Sequence, residues 1–433
     1  MVLLNIFALE VPGKVDLDIL IKFSIIISVG SNIATFFTIN MFLLLFNLVL
    51  STTTASRTRD ALINTLFGLG PGILPSDSIP ISIQSIPGPT AQGCYCAYFG
   101  ECDATSCQYG NNMTKIIWNI QTKVNDTFTL DLNSTVIYTL NTSGAAPEMH
   151  DGAGIAPQLP GGGWYNNESN SGHGSAIYPT SITDTLVIFH HGHSQPCNLI
   201  PELWQDQAQD WLNQLGYDVM GINMPLHQLN YHQESNCEHS WFEQFEKQGV
   251  KTIGRYFLEP VVRTINYAKK LGYKRIIMMG LSGGGWTTTL MGAIDTRIQL
   301  SIPVAGSIPC EFNHTSWDYE QYCTNTWAQV CDYECLYRLA GLEKDRYSIQ
   351  IIHEHDPCCF HGYGRHDRIR TYNTKVQSMI EGHFETVPTT GNVHEVNWRD
   401  KTIAGALIDR LTTQGELVAA DFQSIPFNTL KQW

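Results

Sequence analysis

One serine lies in a run of glycines near the middle of the chain, in Gly280-Leu281-Ser282-Gly283-Gly284. This Gly-x-Ser-x-Gly motif falls between a predicted strand and a predicted helix. Glycines two residues before and after the serine allow a turn so sharp that larger side chains would collide with backbone, and the turn presents the hydroxyl over a helix N-terminus. Ser282 is therefore a candidate nucleophile. An ordinary turn or a phosphate-binding loop is the alternative, although the Gly-x-Gly-x-x-Gly pattern of dinucleotide-binding loops is absent.

A second loop, 189–197 (FHHGHSQPC), follows the preceding predicted strand. A His-Gly pair such as His191-Gly192 is typical of the loop that donates a backbone amide to a developing oxyanion. We expect the amides of His193 and Gly283 to be the two donors. The loop's histidines could instead bind a metal, but side chains in a short extended stretch diverge and no carboxylate is close in sequence. We therefore predict no metal site from this loop's histidines, His190, His191 and His193.

The acid and the base are predicted from their positions after later strands. Asp356 comes after a run of apolar strand residues, where an acid that orients a catalytic histidine is often found. Asp318 and Glu320 lie beyond the preceding strand and are the alternative acids. His394 lies after the last predicted strand and before the last helix, and this position selects it from the 15 histidines of the chain.

Strands and helices alternate through the second half of the chain. Near-continuous apolar strands separated by helices predict a mostly parallel sheet covered on both faces, with ligands at the carboxyl ends of the strands. Gly216 and Gly272 are predicted to end two of the helices. The predicted strands are 185–189, 217–225, 274–280, 298–306, 347–356 and 383–389, and the predicted helices are 201–216, 256–272, 399–411 and one that begins after Ser282.

The order Ser282, Asp356, His394 is similar to that of the α/β-hydrolase fold, and residues of about 175–430 resemble that superfamily. The resemblance implies that Ser282 attacks a carbonyl, that His394 transfers the proton, and that Asp356 orients the imidazole. Three short segments also resemble poorly characterised extracellular members of the superfamily: 280–288, 303–310 and 318–321.

The organisation outside these motifs is predicted from composition and cysteines. We expect a Gly/Pro/Ser-rich linker over 57–93, a β-rich extension over 94–174, the catalytic domain over 175–433, and within it a disulfide-braced cap over about 310–342. In the extension, Cys94, Cys96, Cys102 and Cys107 fit zinc spacing poorly, so disulfides are expected. Cys358 and Cys359 follow the acid loop, and each is expected to pair elsewhere.

The first 56 residues indicate a chain that enters the secretory pathway. Residues 23–50 carry no charged side chain and are longer than the ~20 residues that span a bilayer. They predict a signal anchor, or, if translation begins at Met41, a cleaved signal peptide. Glycosylation sequons point to the same secreted or lumenal location. The sequons begin at Asn112, Asn125, Asn133, Asn141, Asn167 and Asn313.

These features favour a serine hydrolase that cleaves a small carboxylic ester without a metal or an organic cofactor. The alternatives are a secreted peptidase or an acyltransferase of the same fold, or a non-catalytic adhesion or binding protein on a hydrolase scaffold. A nucleic-acid partner is disfavoured because the net charge is −14.

Overall fold

The computed structural model describes twelve segments of the chain. Apart from residues 53 and 54, they belong to one compact unit, Ala55–Trp433. No helix in these segments is long and apolar enough to span a bilayer, and the predicted anchor, 23–50, lies outside them. The described segments are 53–76, 79–87, 112–123, 129–139, 184–193, 207–232, 238–250, 252–310, 319–321, 325–358, 366–389 and 391–418.

The described strands form a single mixed sheet in the order β1-β2-β3-β5-β4-β6-β7-β8-β9. The pairings from β5 to β9 are all parallel, whereas β1, β2 and β3 join the sheet antiparallel. The strands are β1 Ser82–Pro87, β2 Asn112–Lys123, β3 Thr129–Thr139, β4 Thr185–His190, β5 Asp218–Ile222, β6 Arg275–Leu281, β7 Ile298–Val304, β8 Tyr347–His353 and β9 His383–Thr389.

Helices cover both faces of the sheet. Successive side chains of a strand point to opposite faces, so the buried strands place apolar side chains on each face. On β4, Ile188 belongs to one buried apolar cluster and Phe189 to the other, and Met278 and Met279 divide in the same way on β6. The first cluster includes side chains of α1, α3, α4, α5, α7 and α8, and the second those of α2 and α9. The helices are α1 53–67, α2 Gln207–Gln214, α3 Ser240–Lys247, α4 Arg255–Leu271, α5 Gly283–Ile294, α6 Thr326–Val330, α7 Tyr333–Ala340, α8 His366–Gln377 and α9 Trp398–Gln414.

The mostly parallel sheet predicted from the second half of the chain is confirmed, with Gly216 and Gly272 both left-handed at helix ends. The linker predicted over 57–93 is wrong for two stretches. Residues up to 67 continue α1, whose Leu62 and Leu66 are four residues apart and buried, and β1 pairs with β2. The Gly/Pro/Ser-rich stretch begins only at Gly68, so a linker extended back to residue 57 overlooked the helical apolar spacing of four residues in α1.

The described residues of the predicted cap are 310, 319–321 and 325–342, and the last of these stretches contains α6 and α7. A disulfide joins Cys331 to Cys335. The buried Tyr337 hydroxyl of α7 donates to Oγ of Ser307, 2.9 Å away, and ties this helix to the segment that follows β7. Cys358 is also disulfide-bonded, as expected. The tetracysteine segment, most of the sequons and the anchor lie outside the described residues, so export stays a prediction.

Candidate functional site

Ser282 lies at the sharp turn between β6 and α5. Its φ of 56° and ψ of −123° are a strained combination for a residue with a side chain, of the kind that costs about 1–3 kcal/mol. Two backbone hydrogen bonds hold the turn. The amide of Ser282 donates to the carbonyl of Val304 at 2.9 Å, and the carbonyl of Ser282 accepts from the amide of Trp286 at 2.9 Å. The serine therefore begins a helix that is buried along its whole length.

Glycine is required around this turn because backbone approaches it closely. A Cβ on Gly284 would lie below 3.0 Å from the carbonyl oxygens of His190 and His191, and one on Gly280 would collide with the Gly284 carbonyl. A Cβ on Gly192 would lie 2.8 Å from Cβ of Ser282. The loop after β4 therefore packs directly against the serine turn.

His394 and Asp356 form a hydrogen-bonded pair after β9 and β8. Nδ1 of His394 donates to Oδ2 of Asp356 at 2.7 Å, and the amide of Cys358 donates to the other oxygen at 2.7 Å. Burial alone would raise the pKa of Asp356, but hydrogen bonding and charge interaction with His394, aided by the Cys358 amide, hold it below its ordinary value. The carboxyl is therefore ionised and faces an imidazole N–H.

The other nitrogen of His394, Nε2, is buried and has no hydrogen-bond partner among the described residues. Buried polar atoms are nearly always paired, so an unpaired one at a candidate site suggests a group that acts on a bound molecule. With Nδ1–H held by Asp356, a neutral imidazole carries its lone pair on Nε2. The ring is prepared to accept a proton there.

The imidazole of His193 lies against Gly283, the other residue predicted to supply an oxyanion donor. A Cβ on Gly283 would lie 2.9 Å from Cε1 of His193 and only 2.5 Å from Cε of Met224. No side chain fits at Gly283 without displacing these neighbours. The loop after β4 therefore packs closely against the first turn of α5, next to Ser282.

The alternative acid Glu320 does not pair with His394. Its carboxylate is fully buried between Nε2 of His193, at 2.9 Å, and Nδ1 of His239, at 2.8 Å. Burial alone would raise the pKa of Glu320, but charge interaction with His239 and then His193, with hydrogen bonds from both, holds it well below its ordinary value. The other alternative, Asp318, lies outside the described residues.

The three histidines of the loop after β4 diverge, as expected. Nδ1 of His190 contacts the carbonyl of His191 at 2.9 Å, and burial lowers the pKa of His190 to about 3. The ring of His191 packs edge-on against Phe189. Only His193 reaches the neighbourhood of Glu320. His227 and His239, which lie beside His193 and Glu320, were not predicted from the sequence. His227 follows β5 at the carboxyl edge of the sheet, which is a weak sequence signal, and His239 has no such signal.

A second buried histidine–carboxylate pair stands behind Asp356. Nε2 of His353 contacts Oδ2 of Asp400 at 2.8 Å, and Nδ1 contacts the carbonyl of Val393 at 2.9 Å and lies 4.0 Å from Asp356. Burial alone would lower the pKa of His353, but Asp400, then Asp356, and the Val393 carbonyl raise it above its ordinary value. Both ring nitrogens face oxygen acceptors, which favours the imidazolium.

This raised pKa predicts a loss of stability on the alkaline side. The contribution of His353 is fully present below the pKa of about 6.5 in the unfolded chain and declines as pH rises through the folded pKa. We expect the free energy of unfolding of the wild type to fall above pH 6.5 by at most about 1.4 kcal/mol per pH unit, the limit for one proton. Urea unfolding at pH 6.5, 7.5 and 8.5 measures it. In His353→Gln this slope should be absent, and equal slopes in the two proteins would contradict the assignment.

The order of the strands and the residues at their ends decide the fold. Six parallel strands run from β5 to β9 beside an antiparallel hairpin, the serine turn follows the central strand β6, and Asp356 and His394 follow β8 and β9. This chain has the α/β-hydrolase fold. In this hydrolase fold, β2 and β3 continue the sheet, so the strands of the predicted 94–174 extension are part of it.

Comparisons with known proteins find structural similarity at low identity. No family model and no curated protein matches the sequence. The structure is similar to Pyrococcus horikoshii acylaminoacyl peptidase at 12% identity and a TM-score of 0.42, over 72% of this chain and 44% of that one. This chain therefore spans less than half the length of the peptidase.

Two esterases are similar to the same extent. The first is the acetyl xylan esterase from Paenibacillus sp. R4, at 12% identity and a TM-score of 0.41, over 79% of this chain and 91% of that one. The second is acetyl xylan esterase 1 from Thermoanaerobacterium sp., at 8% identity and a TM-score of 0.41, over 82% of this chain and 93% of that one. At these identities the likeness does not extend to the substrate.

Proposed function

We propose that this chain is a serine hydrolase that cleaves a carboxylic ester through an acyl-enzyme, with Ser282 as nucleophile, His394 as general base and acid, and Asp356 as the orienting carboxylate. The observation that carries the proposal is the 2.7 Å hydrogen bond from Nδ1 of His394 to Asp356, with Nε2 of the same ring left without a partner. The strained turn that presents Ser282 supports it.

The proposed reaction follows from these positions. As Oγ of Ser282 bonds to the carbonyl carbon, its proton passes to Nε2 of His394, and Asp356 stabilises the imidazolium that forms. The carbonyl oxygen becomes an oxyanion, for which the amides of Gly283 and His193 are the proposed donors. His394 then protonates the leaving alkoxide as the C–O bond breaks. Water, deprotonated by the same ring, attacks the acyl-enzyme and releases the acid and Ser282.

An ester is the proposed substrate because an alkoxide leaves more readily than an amide nitrogen. A peptidase and an acyltransferase would use the same three residues, and they differ from an esterase in the acyl acceptor and leaving group. A binding protein on this scaffold would need none of them to react.

A fluorophosphonate probe tests the activated serine directly, because it phosphonylates only a nucleophile with an assembled base. We expect stoichiometric labelling of the wild-type chain and none of Ser282→Ala, because the bond forms at Oγ. Ser301→Ala is the matched control: Ser301 is equally buried, lies on β7 and makes only a 3.5 Å contact to the Tyr347 carbonyl. It should label like the wild type.

Labelling of Ser282→Ala at the wild-type level would place the reactive group elsewhere. Absence of labelling in a wild-type chain that unfolds cooperatively would favour the binding protein. If labelling is confirmed, hydrolysis of p-nitrophenyl esters and p-nitroanilides of one acyl group, compared on the same sample, separates an esterase from a peptidase.

A further inference from the structure

Four side chains from four separate segments meet beside the serine turn. His193 follows β4, His227 follows β5, His239 precedes α3, and Glu320 lies beyond β7. One ring nitrogen from each histidine lies within 4.8 Å of those of the other two. Glu320 joins them through the contacts of 2.8 and 2.9 Å described above. This His/His/His/Glu cluster has the donor types of a zinc site.

The hydrogen-bond arrangement leaves too few protons for the atoms that face each other. Nε2 of His239 lies 2.8 Å from the carbonyl of Pro225, which can only accept, so this nitrogen carries a proton. In a neutral ring Nδ1 is then an unprotonated acceptor, yet it faces Oε2 of Glu320 at 2.8 Å and Nε2 of His193 at 3.0 Å. The lone pairs of Nδ1 of His239 and Oε2 of Glu320 therefore face each other at 2.8 Å, unless a proton or a cation lies between them.

Burial increases the cost of that arrangement. Glu320 and His239 are both fully buried, and among the described residues no lysine or arginine pairs with Glu320. A buried carboxylate needs a compensating positive charge. A carbonyl that fixes the tautomer and orientation of a ligating imidazole is also the usual second layer around a zinc ligand.

We propose that His193, His227, His239 and Glu320 bind one Zn²⁺ ion. Imidazole and carboxylate suit zinc, and four protein ligands make a closed, structural site rather than one with an open catalytic position. Tetrahedral ligand atoms around zinc lie about 3.4 Å apart, so the closest contacts in the cluster would open by roughly 0.5 Å. Binding would join the loops after β4, β5 and β7 to the segment before α3.

The proposed zinc site shares only His193 with the proposed hydrolase chemistry, through the imidazole rather than the backbone amide. It uses neither Ser282, Asp356 nor His394, and its ligands tie together backbone that lies next to Gly283. Metal content and thermal stability therefore test it without a substrate, and their outcome does not depend on whether the serine reacts.

The experiment uses the full chain, without a histidine tag, exchanged into chelator-free buffer after incubation with zinc. Elemental analysis should find about one zinc per chain, and cobalt substitution should give the strong visible absorption of a tetrahedral site. Removing the metal with a chelator should lower Tm by roughly 5–10 °C, and added zinc should restore it. The free energy that a ligand at 100 times its Kd adds to the folded state corresponds to a Tm shift of about this size.

Variants distinguish a metal from a proton shared within the cluster. Glu320→Gln and His239→Ala should each lose the zinc, whereas His383→Gln, which alters a partly exposed histidine at the start of β9, should keep it. If either cluster variant fails to fold, the chelator and cobalt measurements on the wild type still show whether the cluster binds zinc. A wild-type chain that keeps no zinc and whose Tm is unchanged by chelator or zinc would overturn the proposal and leave a protonated His239.

Discussion

Asp356→Asn is expected to lower the rate of fluorophosphonate labelling and of ester turnover by about 10⁴-fold while the fold stays intact. The carboxylate accepts one hydrogen bond from the Cys358 amide and one from Nδ1 of His394. In asparagine the single oxygen is retained by the Cys358 amide, so the NH₂ group faces Nδ1. That contact requires the tautomer with the proton on Nε2, and this nitrogen can then no longer accept the proton of Ser282.

A control for the loss of a buried negative charge is Asp295→Asn. Asp295 is as buried as Asp356 and pairs with Arg297 at the far end of α5. It should change stability but leave the labelling rate within a few-fold. If Asp356→Asn labels as fast as this control, then Asp356 does not orient the base, and the acid of the site has to be sought elsewhere.

Gly284→Ala is expected to destabilise the chain by at least about 4 kcal/mol, enough to leave little folded protein. A Cβ at this position would meet two backbone carbonyl oxygens, those of His190 and His191, at distances that real Cβ atoms essentially never show. Backbone held in β4 and its following loop cannot rotate away as a side chain can. The change would force β4 away from α5 beneath the serine turn.

The matched variant is Gly272→Ala, at the left-handed end of α4. Its φ of 98° strains alanine, but nothing lies within 4 Å of the added Cβ, so only the backbone cost of about 1–2 kcal/mol remains. The difference between the urea unfolding midpoints of Gly284→Ala and Gly272→Ala measures the destabilisation that the collision adds. Equal midpoints would mean that the β4 loop and α5 are farther apart than described.

Much of the sheet could be predicted because most of the parallel strands are buried on both faces and read as near-continuous apolar runs. The strand β8, Tyr347–His353, is buried at all seven positions. The positions of Ser282, Asp356 and His394 could be predicted for a related reason. They follow such strands directly, and the carboxyl ends of parallel strands meet at one edge.

The rest depends on contacts between distant segments, which local patterns do not encode. Nothing near Glu320 in sequence indicates that it lies against His239, 81 residues away. The helix α1 was hidden by its glycine-rich flank, although Arg59 on it binds Glu343 at 2.6 Å. The pairing of β3 with β5 joins residues that are 80 (Thr139 and Val219) to 86 (Val136 and Ile222) positions apart, and it places the hairpin within the sheet.

The complete burial of α5 has a consequence for anyone who wishes to change what this chain acts on. None of its twelve residues reaches the surface, and the glycines and threonines that fill it, Gly283 to Thr289 apart from Trp286, are small because other elements lie against every side. A mutant library built on this helix would yield mostly unfolded chains. Selectivity has to be engineered from the loops around it, while the helix that bears the serine on its first turn is left as it is.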